Sequence, residues 1–339
     1  MYKQELAEIT RHIINSKTIV EEIESAKLLS IFFKQFVFND HHSLVKHNET
    51  VTEGGIALSS FDAALCVDDY LRTARFIKGV FQAVNELYTR FPGQKINILY
   101  AGCGPYATLL LPLLPLFDKN DLEAILLDIN TSSISSVRNL LSNIGLMDYE
   151  VRANQADAIT YKKPDSWPIH LLISETMYYA LIREPQVAIA SNLVPQMLPN
   201  GILIPEEINI NLAYTFHVKE PYLKSDIDIT EAVFSGEAYI NRYHVDQLFS
   251  INKKSDLIFN DTIGFESRLY ELPHKFDNYP DVCILTEIKI FNNLELKTGD
   301  SYITNPYCIL SLPNFTAYKS FKLIYPFGET PKWIYQLEG

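Results

Sequence analysis

The spacing of apolar residues changes twice along the 339-residue chain. Before residue 95, apolar side chains such as Val67, Leu71 and Ala74 recur every three or four positions, which predicts helices with one apolar face. The second of these helices is predicted over about Ser60–Thr89. Between residues 95 and 205, short apolar runs alternate with helical patterns, as in a parallel sheet with crossover helices. After residue 205 the repeat shortens to two and predicts antiparallel strands. We therefore predict three parts: a helical segment over residues 1–94, an α/β domain over 95–205 and a β-rich domain over 206–339.

The middle part is predicted to be a Rossmann-like α/β core, because its strands are connected mainly through helices. Its five predicted strands are Lys95–Ala101, Ala124–Asp128, Glu150–Ala156, Ile169–Ile173 and Ile202–Pro205. Its predicted helices are Tyr106–Phe117, Ser132–Asn143 and Val187–Leu198. In such a sheet the carboxyl ends of the strands lie along one edge, where ligands bind.

The last part is predicted to be an antiparallel β-barrel or sandwich domain. Residues Asn209–Tyr214 and Ile284–Ile290 alternate between apolar and polar side chains. Turn residues separate the shorter candidate strands Tyr302–Ile303, Cys308–Leu312, Phe321–Tyr325 and Trp333–Tyr335. The segment from Glu220 to Phe249 is less regular and could be partly helical.

Composition and charge exclude several classes of protein. With 47% hydrophobic and 21% charged residues, a folded chain with a large core is expected. The net charge of −12 and the lack of a dense Lys/Arg run argue against nucleic-acid binding, which depends on neutralising phosphates. The N-terminus has no signal-peptide core and no apolar run could span a bilayer, so we expect no membrane partner and a cytoplasmic location.

Metal and disulfide sites are not predicted. The four cysteines are widely spaced and form neither a disulfide framework nor a zinc ribbon. Asp40, His41, His42 and His47 carry side chains that can ligate a metal, but a polar loop between helices is the simpler interpretation.

A glycine turn follows the first predicted strand of the middle part. In Ala101–Gly104 two glycines allow backbone amides to approach a ligand closely, and a helix from Tyr106 would direct its positive end to the same place. The next strand ends at Asp128, 24 residues after Gly104. At that spacing a carboxylate can accept hydrogen bonds from both ribose hydroxyls of a nucleoside. The alternative is that Asp128 caps the following helix.

Asp157 and Ala158 follow the third predicted strand. An acid beside a small residue at this position could accept a hydrogen bond from an adenine amine and leave space for the ring. A simple surface turn is an equally good interpretation.

Two carboxylates follow the fourth predicted strand in one loop. Glu175 and Glu184 are nine residues apart. A pair of carboxylates can bind a cation, orient one of its nitrogens and accept a proton, which suits a guanidinium or ammonium group as the substrate. The alternative is a pair of ordinary loop acids that face solvent or cap the next helix.

The middle of the chain resembles the protein arginine methyltransferase family. The most specific match is the loop with Glu175 and Glu184, because this family carries two glutamates at the same spacing in a hairpin around the substrate guanidinium. Ser174, Met177 and Tyr179 match the same local pattern. Two further segments are similar to the family's pre-core helix motif and to its entry into the β-barrel, namely Asp69–Arg72 and Leu198–Pro205.

The resemblance implies a class I methyltransferase fold that uses S-adenosyl-L-methionine and releases S-adenosyl-L-homocysteine. The cofactor-binding residues that it implies are Arg72, Ala101, Gly102, Cys103, Gly104, Asp128, Ile129, Asp157, Ala158 and Glu175. The implied substrate-binding residues are Glu175, Met177, Tyr179 and Glu184, with Glu175 and Glu184 catalytic. Members of the family commonly dimerise through an arm in the β-domain, so a homodimer is expected, with the segment from Glu220 to Phe249 as the candidate arm.

Departures from the family pattern keep several hypotheses open. Tyr100 replaces an acid before the glycine turn, Tyr106 replaces its third glycine, Thr176 replaces a tryptophan in the loop, and no Thr-His-Trp segment is present. The first hypothesis is an N-methyltransferase for a guanidino or amino group of arginine, a small metabolite or a peptide. The second is a small-molecule O- or C-methyltransferase of the same fold, and the third is a non-catalytic methyltransferase-like scaffold. A dinucleotide oxidoreductase is weaker, because Ala107 occupies its third glycine position.

Overall fold

The structure is a computed structural model that describes residues 1–37, 49–220, 242–255, 264–273, 279–315, 317–328 and 330–339. The histidines at positions 41, 42 and 47 lie outside these ranges. Among the described residues, every helix is too short or too polar to cross a membrane.

Four α-helices and one hairpin precede the central sheet. They are α1 (Tyr2–Asn15), α2 (Ile19–Val37), the hairpin of β1 (Thr50–Thr52) and β2 (Gly55–Ala57), α3 (Ser60–Leu65) and α4 (Tyr70–Arg90). A 3-10 turn at Cys66–Asp68 separates α3 from α4, which the sequence had predicted as one helix. Helix α4 packs on three strands of the sheet with its predicted apolar face, and α1 and α2 pack on α4. The three longer helices therefore belong to the same core as the sheet.

The central sheet has five parallel strands, as the alternating pattern predicted. They are β3 (Ile96–Ala101), β4 (Leu122–Asp128), β5 (Glu150–Gln155), β6 (Ile169–Ser174) and β7 (Met197–Ile204), in the order β5-β4-β3-β6-β7. Helix α5 (Thr131–Ile144) follows β4, and α6 (Gln186–Leu193) precedes β7. The Rossmann-like class of the core is thus confirmed. Its order places the carboxyl ends of β3, β4 and β6 side by side.

The helix predicted over Tyr106–Phe117 is not formed. Residues 104–110 make turns, and only a 3-10 helix follows at Leu111–Leu116. Proline lacks a backbone N–H and its ring clashes with the preceding helical turn, so Pro105, Pro112 and Pro115 explain the error. The prediction that a helix N-terminus faces the glycine turn is therefore wrong.

Two antiparallel sheets form the part after residue 205. The strands of the first are β8 (Glu207–Thr215), β9 (Tyr243–Asn252), β12 (Asp281–Phe291), β13 (Leu294–Leu296) and β14 (Tyr307–Ser311). Their order is β13-β12-β8-β9, with β14 also paired to β12. The second contains β10 (Gly264–Glu266), β11 (Tyr270–Glu271), β15 (Ser320–Pro326) and β16 (Ile334–Glu338). The ring of Phe249 packs against those of Tyr325 and Trp333, with ring centres 5.7 and 5.8 Å away, so the two sheets share a core.

Two predictions in this part are corrected. Tyr302–Thr304 is a 3-10 helix rather than a strand, because the Ser301 side chain caps its N-terminus. Residues 243–252 are strand β9, whose pairing with β8 contains two register shifts, so this part of the segment is extended and not helical. Residues 221–241, the rest of the proposed dimerisation arm, lie outside the described ranges.

Candidate active site

The glycine turn lies at the carboxyl end of β3. Gly102 and Gly104 have φ angles of +67° and +62°, which favour glycine. A Cβ atom on Gly102 would lie 2.2 Å from Cγ2 of Thr176, so the turn and the acidic loop are in direct contact. Ala101 and Cys103 are buried in the same turn. The turn can therefore present its backbone to a ligand only because two side chains are absent.

Asp128 ends the neighbouring strand and is bound to the glycine turn. Its two carboxylate oxygens accept hydrogen bonds from the amides of Gly104 at 2.9 Å and Asn130 at 2.8 Å. Burial raises the pKa of Asp128, and these two amides oppose that rise. Asn130 occupies the N-cap position of α5, so the alternative that Asp128 is the helix cap is wrong. A carboxylate oxygen has a second lone pair, and Asp128 therefore keeps acceptor capacity for ribose hydroxyls.

The remaining predicted adenosine contacts lie at the same edge of the sheet. Ile129 follows β4 directly, and its carbonyl accepts a hydrogen bond from Gln155 at 3.2 Å. Asp157 and Ala158 follow β5, where the Asp157 carboxylate accepts from the amide of Ile159 at 2.9 Å. Ala158 is buried and Asp157 is half-buried. The structure thus brings these residues to the edge that also holds Asp128.

The segment before α4 lies across this edge. The carbonyl of Leu58 accepts a hydrogen bond from the Asn130 side chain at 2.9 Å, and Ser60 contacts the hydroxyls of Ser132 and Ser133 at the start of α5. Ala63 is the nearest neighbour to the position that a Cβ of Gly104 would occupy, at 3.8 Å. Residues 58–63 therefore cover the glycine turn and the start of α5.

Arg72 is a buried cation in the first turn of α4. Its guanidinium donates to the Cys66 carbonyl at 2.7 Å and lies 3.4 Å from the Glu175 carboxylate. Asp69, which is fully buried, lies 3.8 Å from it and accepts hydrogen bonds from Ser301 and Tyr302. Burial acts to lower the pKa of Arg72, but the neighbouring groups, with Glu175 first among them, together outweigh it and raise that pKa. The pair of Asp69 and Arg72 is thus an interior ion pair.

Glu175 and Glu184 form an electrostatically coupled pair. Burial raises the pKa of Glu175 to about 7, although the charge of Arg72 opposes the rise. Burial, followed by the negative charge of Glu175, raises the pKa of Glu184 to about 8. Among the described residues, no side chain or backbone group donates a hydrogen bond to the Glu184 carboxylate. Both side chains are half-buried and carry raised pKa values, so they are not ordinary solvated loop acids, and a bound cation would stabilise their charged forms.

Buried Gln186 holds the two ends of the acidic loop together. Its side-chain oxygen accepts hydrogen bonds from the backbone amide and the hydroxyl of Thr176, both at 2.9 Å. Its side-chain nitrogen donates to the Ser174 carbonyl at 3.1 Å. The sequence analysis missed this residue, although a glutamine on an apolar helix two positions after Glu184 is the signal that could have suggested it.

Replacing Gln186 with leucine should destabilise the protein by about 2–4 kcal/mol, because it leaves several buried polar groups of the loop without a partner. Urea unfolding monitored by circular dichroism measures the effect. Gln247 offers the matched control, since its side chain makes an exposed hydrogen bond to Asn209 at 2.7 Å. A Gln186→Leu variant as stable as Gln247→Leu would contradict this role.

Three tyrosines lie in the acidic loop or next to it. The rings of Tyr178 and Tyr179 lie 4.2 Å apart, and Tyr179 lies 5.9 Å from Tyr307 of β14. Met177 is buried, so it shapes the loop from within rather than from the surface. A cavity of about 560 Å³ lies beyond the tip of the loop, and its lining includes Ile182, Arg183, Tyr307, Thr52 and Pro331.

The departures from the family pattern have structural explanations. The ring of Tyr106 points into the N-terminal helices and stacks on Phe33, with ring centres 5.0 Å apart. Tyr100 is buried at the end of β3, and burial raises the pKa of its phenol. Thr176 replaces a bulky residue where the loop rests on Gly102. The glycine turn is therefore formed in spite of both tyrosines.

Comparison with known proteins identifies the fold. No protein-family model matches the sequence, and no curated protein matches it. A chain of the PRMT1 enzyme–prozyme heterotetrameric complex of Trypanosoma brucei with AdoHcy is similar over 81% of this chain and 96% of its own, with a TM-score of 0.50 and 13% identity. Protein arginine methyltransferase 10 of Arabidopsis thaliana, in an open conformation, is similar over 82% of this chain and 97% of its own, with a TM-score of 0.50 and 12% identity.

This chain has the arginine methyltransferase fold. Because the match extends over nearly the full length of both known chains, it includes the β-rich part as well as the parallel sheet. One edge of the parallel sheet brings together the glycine turn, Asp128, Arg72 and the two glutamates. A glycine-turn backbone, an acid at the end of the neighbouring strand and a buried guanidinium are chemically suited to an adenosyl amino acid.

Proposed function

We propose that this protein is an S-adenosylmethionine-dependent methyltransferase whose acceptor is a positively charged nitrogen. The observation that carries the proposal is the pair Glu175 and Glu184, two half-buried carboxylates with raised pKa values beside the glycine turn of a methyltransferase fold. Nothing in a nucleotide-binding scaffold requires two such groups, and their burial opposes folding unless a cation compensates it.

The cofactor side of the site would use groups at three strand ends. The backbone of Gly102, Cys103 and Gly104 would lie against the amino-acid portion, and Arg72 would bind its carboxylate. Asp128 and Ile129 would hold the ribose, while Asp157 and Ala158 would hold the adenine. When bound, the cofactor supplies a methyl group that its sulfonium has already activated. The first of the similar structures is a complex with AdoHcy, which supports this choice of ligand.

The acceptor side would use the acidic loop. Glu175 would bind and orient the cation, and Glu184 would bind it and accept the proton that the nitrogen loses. A carboxylate with a pKa of about 8 is a stronger base than an ordinary glutamate, which favours proton acceptance near neutral pH. Met177 and Tyr179 would line the acceptor pocket. Arginine and related guanidino compounds are the acceptors that this arrangement suits best, since two carboxylates match the flat fork of a guanidinium.

The same loop also supports a weaker candidate function. The neighbouring rings of Tyr178 and Tyr179, tilted by 36° to each other, would hold a flat acceptor for O- or C-methylation. Such an acceptor would not need Glu184.

The assembly is proposed to be a homodimer, because the PRMT1 structure is oligomeric and the fold is shared.

Calorimetric titration tests the cofactor, and transfer of a labelled methyl group tests the acceptor. We expect S-adenosylhomocysteine to bind and NAD not to bind. With labelled S-adenosylmethionine, we expect transfer to L-arginine, a guanidino amine or an arginine-containing peptide rather than to a phenolic compound. Transfer only to the phenol would favour the O-methyltransferase, and lack of S-adenosylhomocysteine binding would favour the non-catalytic scaffold.

A further inference from the structure

The acidic loop has a strained backbone between its two glutamates. Ala180, Leu181 and Arg183 have φ angles of +54°, +54° and +66°. This left-handed region is unfavourable for residues with a Cβ atom, so three such residues within four positions require support from their surroundings. Ala180 and Leu181 are buried, so the support has to come from the protein.

The support comes mainly from the part of the chain after residue 205. The phenol of Tyr325 donates a hydrogen bond to the Leu181 carbonyl at 2.6 Å. The indole nitrogen of Trp333 donates to the Ala180 carbonyl at 2.9 Å, and the Thr286 hydroxyl accepts from the Ala180 amide at 2.8 Å. These partners lie more than 100 positions away in the sequence.

Two backbone contacts complete this support. The amide of Arg183 donates to the Pro331 carbonyl at 2.8 Å, and its own carbonyl accepts from the Ile56 amide of the N-terminal hairpin at 2.7 Å. The residue after Arg183 is Glu184. The direction of the Glu184 side chain therefore depends on a turn that other parts of the chain hold in a strained shape.

We propose that Tyr325 and Trp333 are positioning residues for the acceptor carboxylate, a role that rests on the function proposed above. They touch no reacting atom. Their rings pack together, with centres 5.0 Å apart, so the two donors form one rigid unit. By fixing the carbonyls of Ala180 and Leu181, this unit holds Glu184 beside Glu175 and keeps the pair ready for a cation.

Removal of the two side-chain donors tests the proposal. Tyr325→Phe deletes only the hydroxyl, and Trp333→Phe keeps an aromatic ring but deletes the N–H donor. Tyr214→Phe is the matched control, because the buried Tyr214 phenol also donates to a backbone carbonyl, that of Glu271 at 3.1 Å, but in another part of the β-rich half. Hydrogen–deuterium exchange of peptides that cover residues 178–185 is the first readout, since it needs no substrate.

We expect the amides of residues 180–184 to exchange at least about tenfold faster in Tyr325→Phe and Trp333→Phe than in the wild type or Tyr214→Phe. The peptide with the glycine turn should exchange as in the wild type, and the dissociation constant of S-adenosylhomocysteine should change less than about twofold. In methyl transfer to L-arginine or an arginine-containing peptide, the two variants should show a higher KM for the acceptor or a kcat at least about tenfold lower.

Each other outcome is decisive. Unchanged exchange at residues 180–184 would overturn the positioning role, and so would faster exchange with unchanged methyl transfer. Equal loss of activity in Tyr214→Phe would also overturn the positioning role, because the loss would then reflect general stability. A wild type that methylates none of the acceptors contradicts the proposed function alone, because the exchange experiment still decides whether the two aromatic residues hold the loop.

Discussion

Replacing Glu184 with glutamine is expected to slow methyl transfer by about 100- to 10,000-fold, the usual contribution of a positioned general base. The glutamine keeps the size of the side chain but removes the charge and the proton acceptor. Binding of S-adenosylhomocysteine should remain close to that of the wild type, since the cofactor residues lie on other strand ends. Steady-state kinetics with the best acceptor measures the loss, and Glu86→Gln, an exposed position on α4, is the control.

The same pair predicts how the rate depends on pH. Both carboxylates must be ionised to bind a cation, and their pKa values of about 7 and about 8 are raised. The rate should therefore rise with pH through this window, and the two ionisations belong to the pair because the groups interact. In Glu184→Gln the upper ionisation should disappear. A profile that is flat from pH 6 to about 9 in the wild type would argue against a catalytic role for these carboxylates.

Replacing Asp128 with asparagine is expected to weaken S-adenosylhomocysteine binding by about 100-fold or more, because two hydrogen bonds to a charged acceptor contribute about 3–6 kcal/mol together. Asparagine retains one acceptor oxygen, so one of the hydrogen bonds from the amides of Gly104 and Asn130 can remain. Isothermal titration calorimetry measures the change. The exposed Asp148→Asn is the control.

An Asp128→Asn variant with wild-type affinity would exclude the ribose role. A variant that lost its secondary structure would instead reveal Asp128 as a structural residue of the glycine turn. Circular dichroism separates the two results before any titration is interpreted.

The sequence predicted those parts of the site that depend on strand ends. The apolar runs located β3, β4 and β6, and parallel strands necessarily bring their carboxyl ends to one edge. Gly102, Asp128 and Glu175 follow these runs directly, so their common location could be predicted without knowledge of side-chain contacts. The resemblance to a known family added Arg72, which precedes the sheet and which no strand pattern could have placed.

Sequence patterns do not predict the structure where prolines interrupt an apolar run or where a residue binds a distant part of the chain. The apolar run at Tyr106–Phe117 has a helical composition, but Pro112 and Pro115 interrupt it, and the prediction gave them too little weight. Gln186, Tyr325 and Trp333 were missed for another reason. Each forms hydrogen bonds with backbone groups of a loop, and two of these partners are 144 and 153 positions away. A periodic sequence pattern does not predict which backbone carbonyl will accept a hydrogen bond from a distant aromatic side chain.

The long sequence separation of these contacts has a consequence for synthesis of the chain. A nascent chain that ends near residue 205 already contains both glutamates and every strand of the parallel sheet. It lacks the donors from residues 325 and 333, and the strained turn between the glutamates then has no compensation for its backbone geometry. On the ribosome, the edge of the sheet with the glycine turn and Asp128 can therefore form before the acidic loop takes its final shape. The two halves of the site are completed at different times in the life of each molecule.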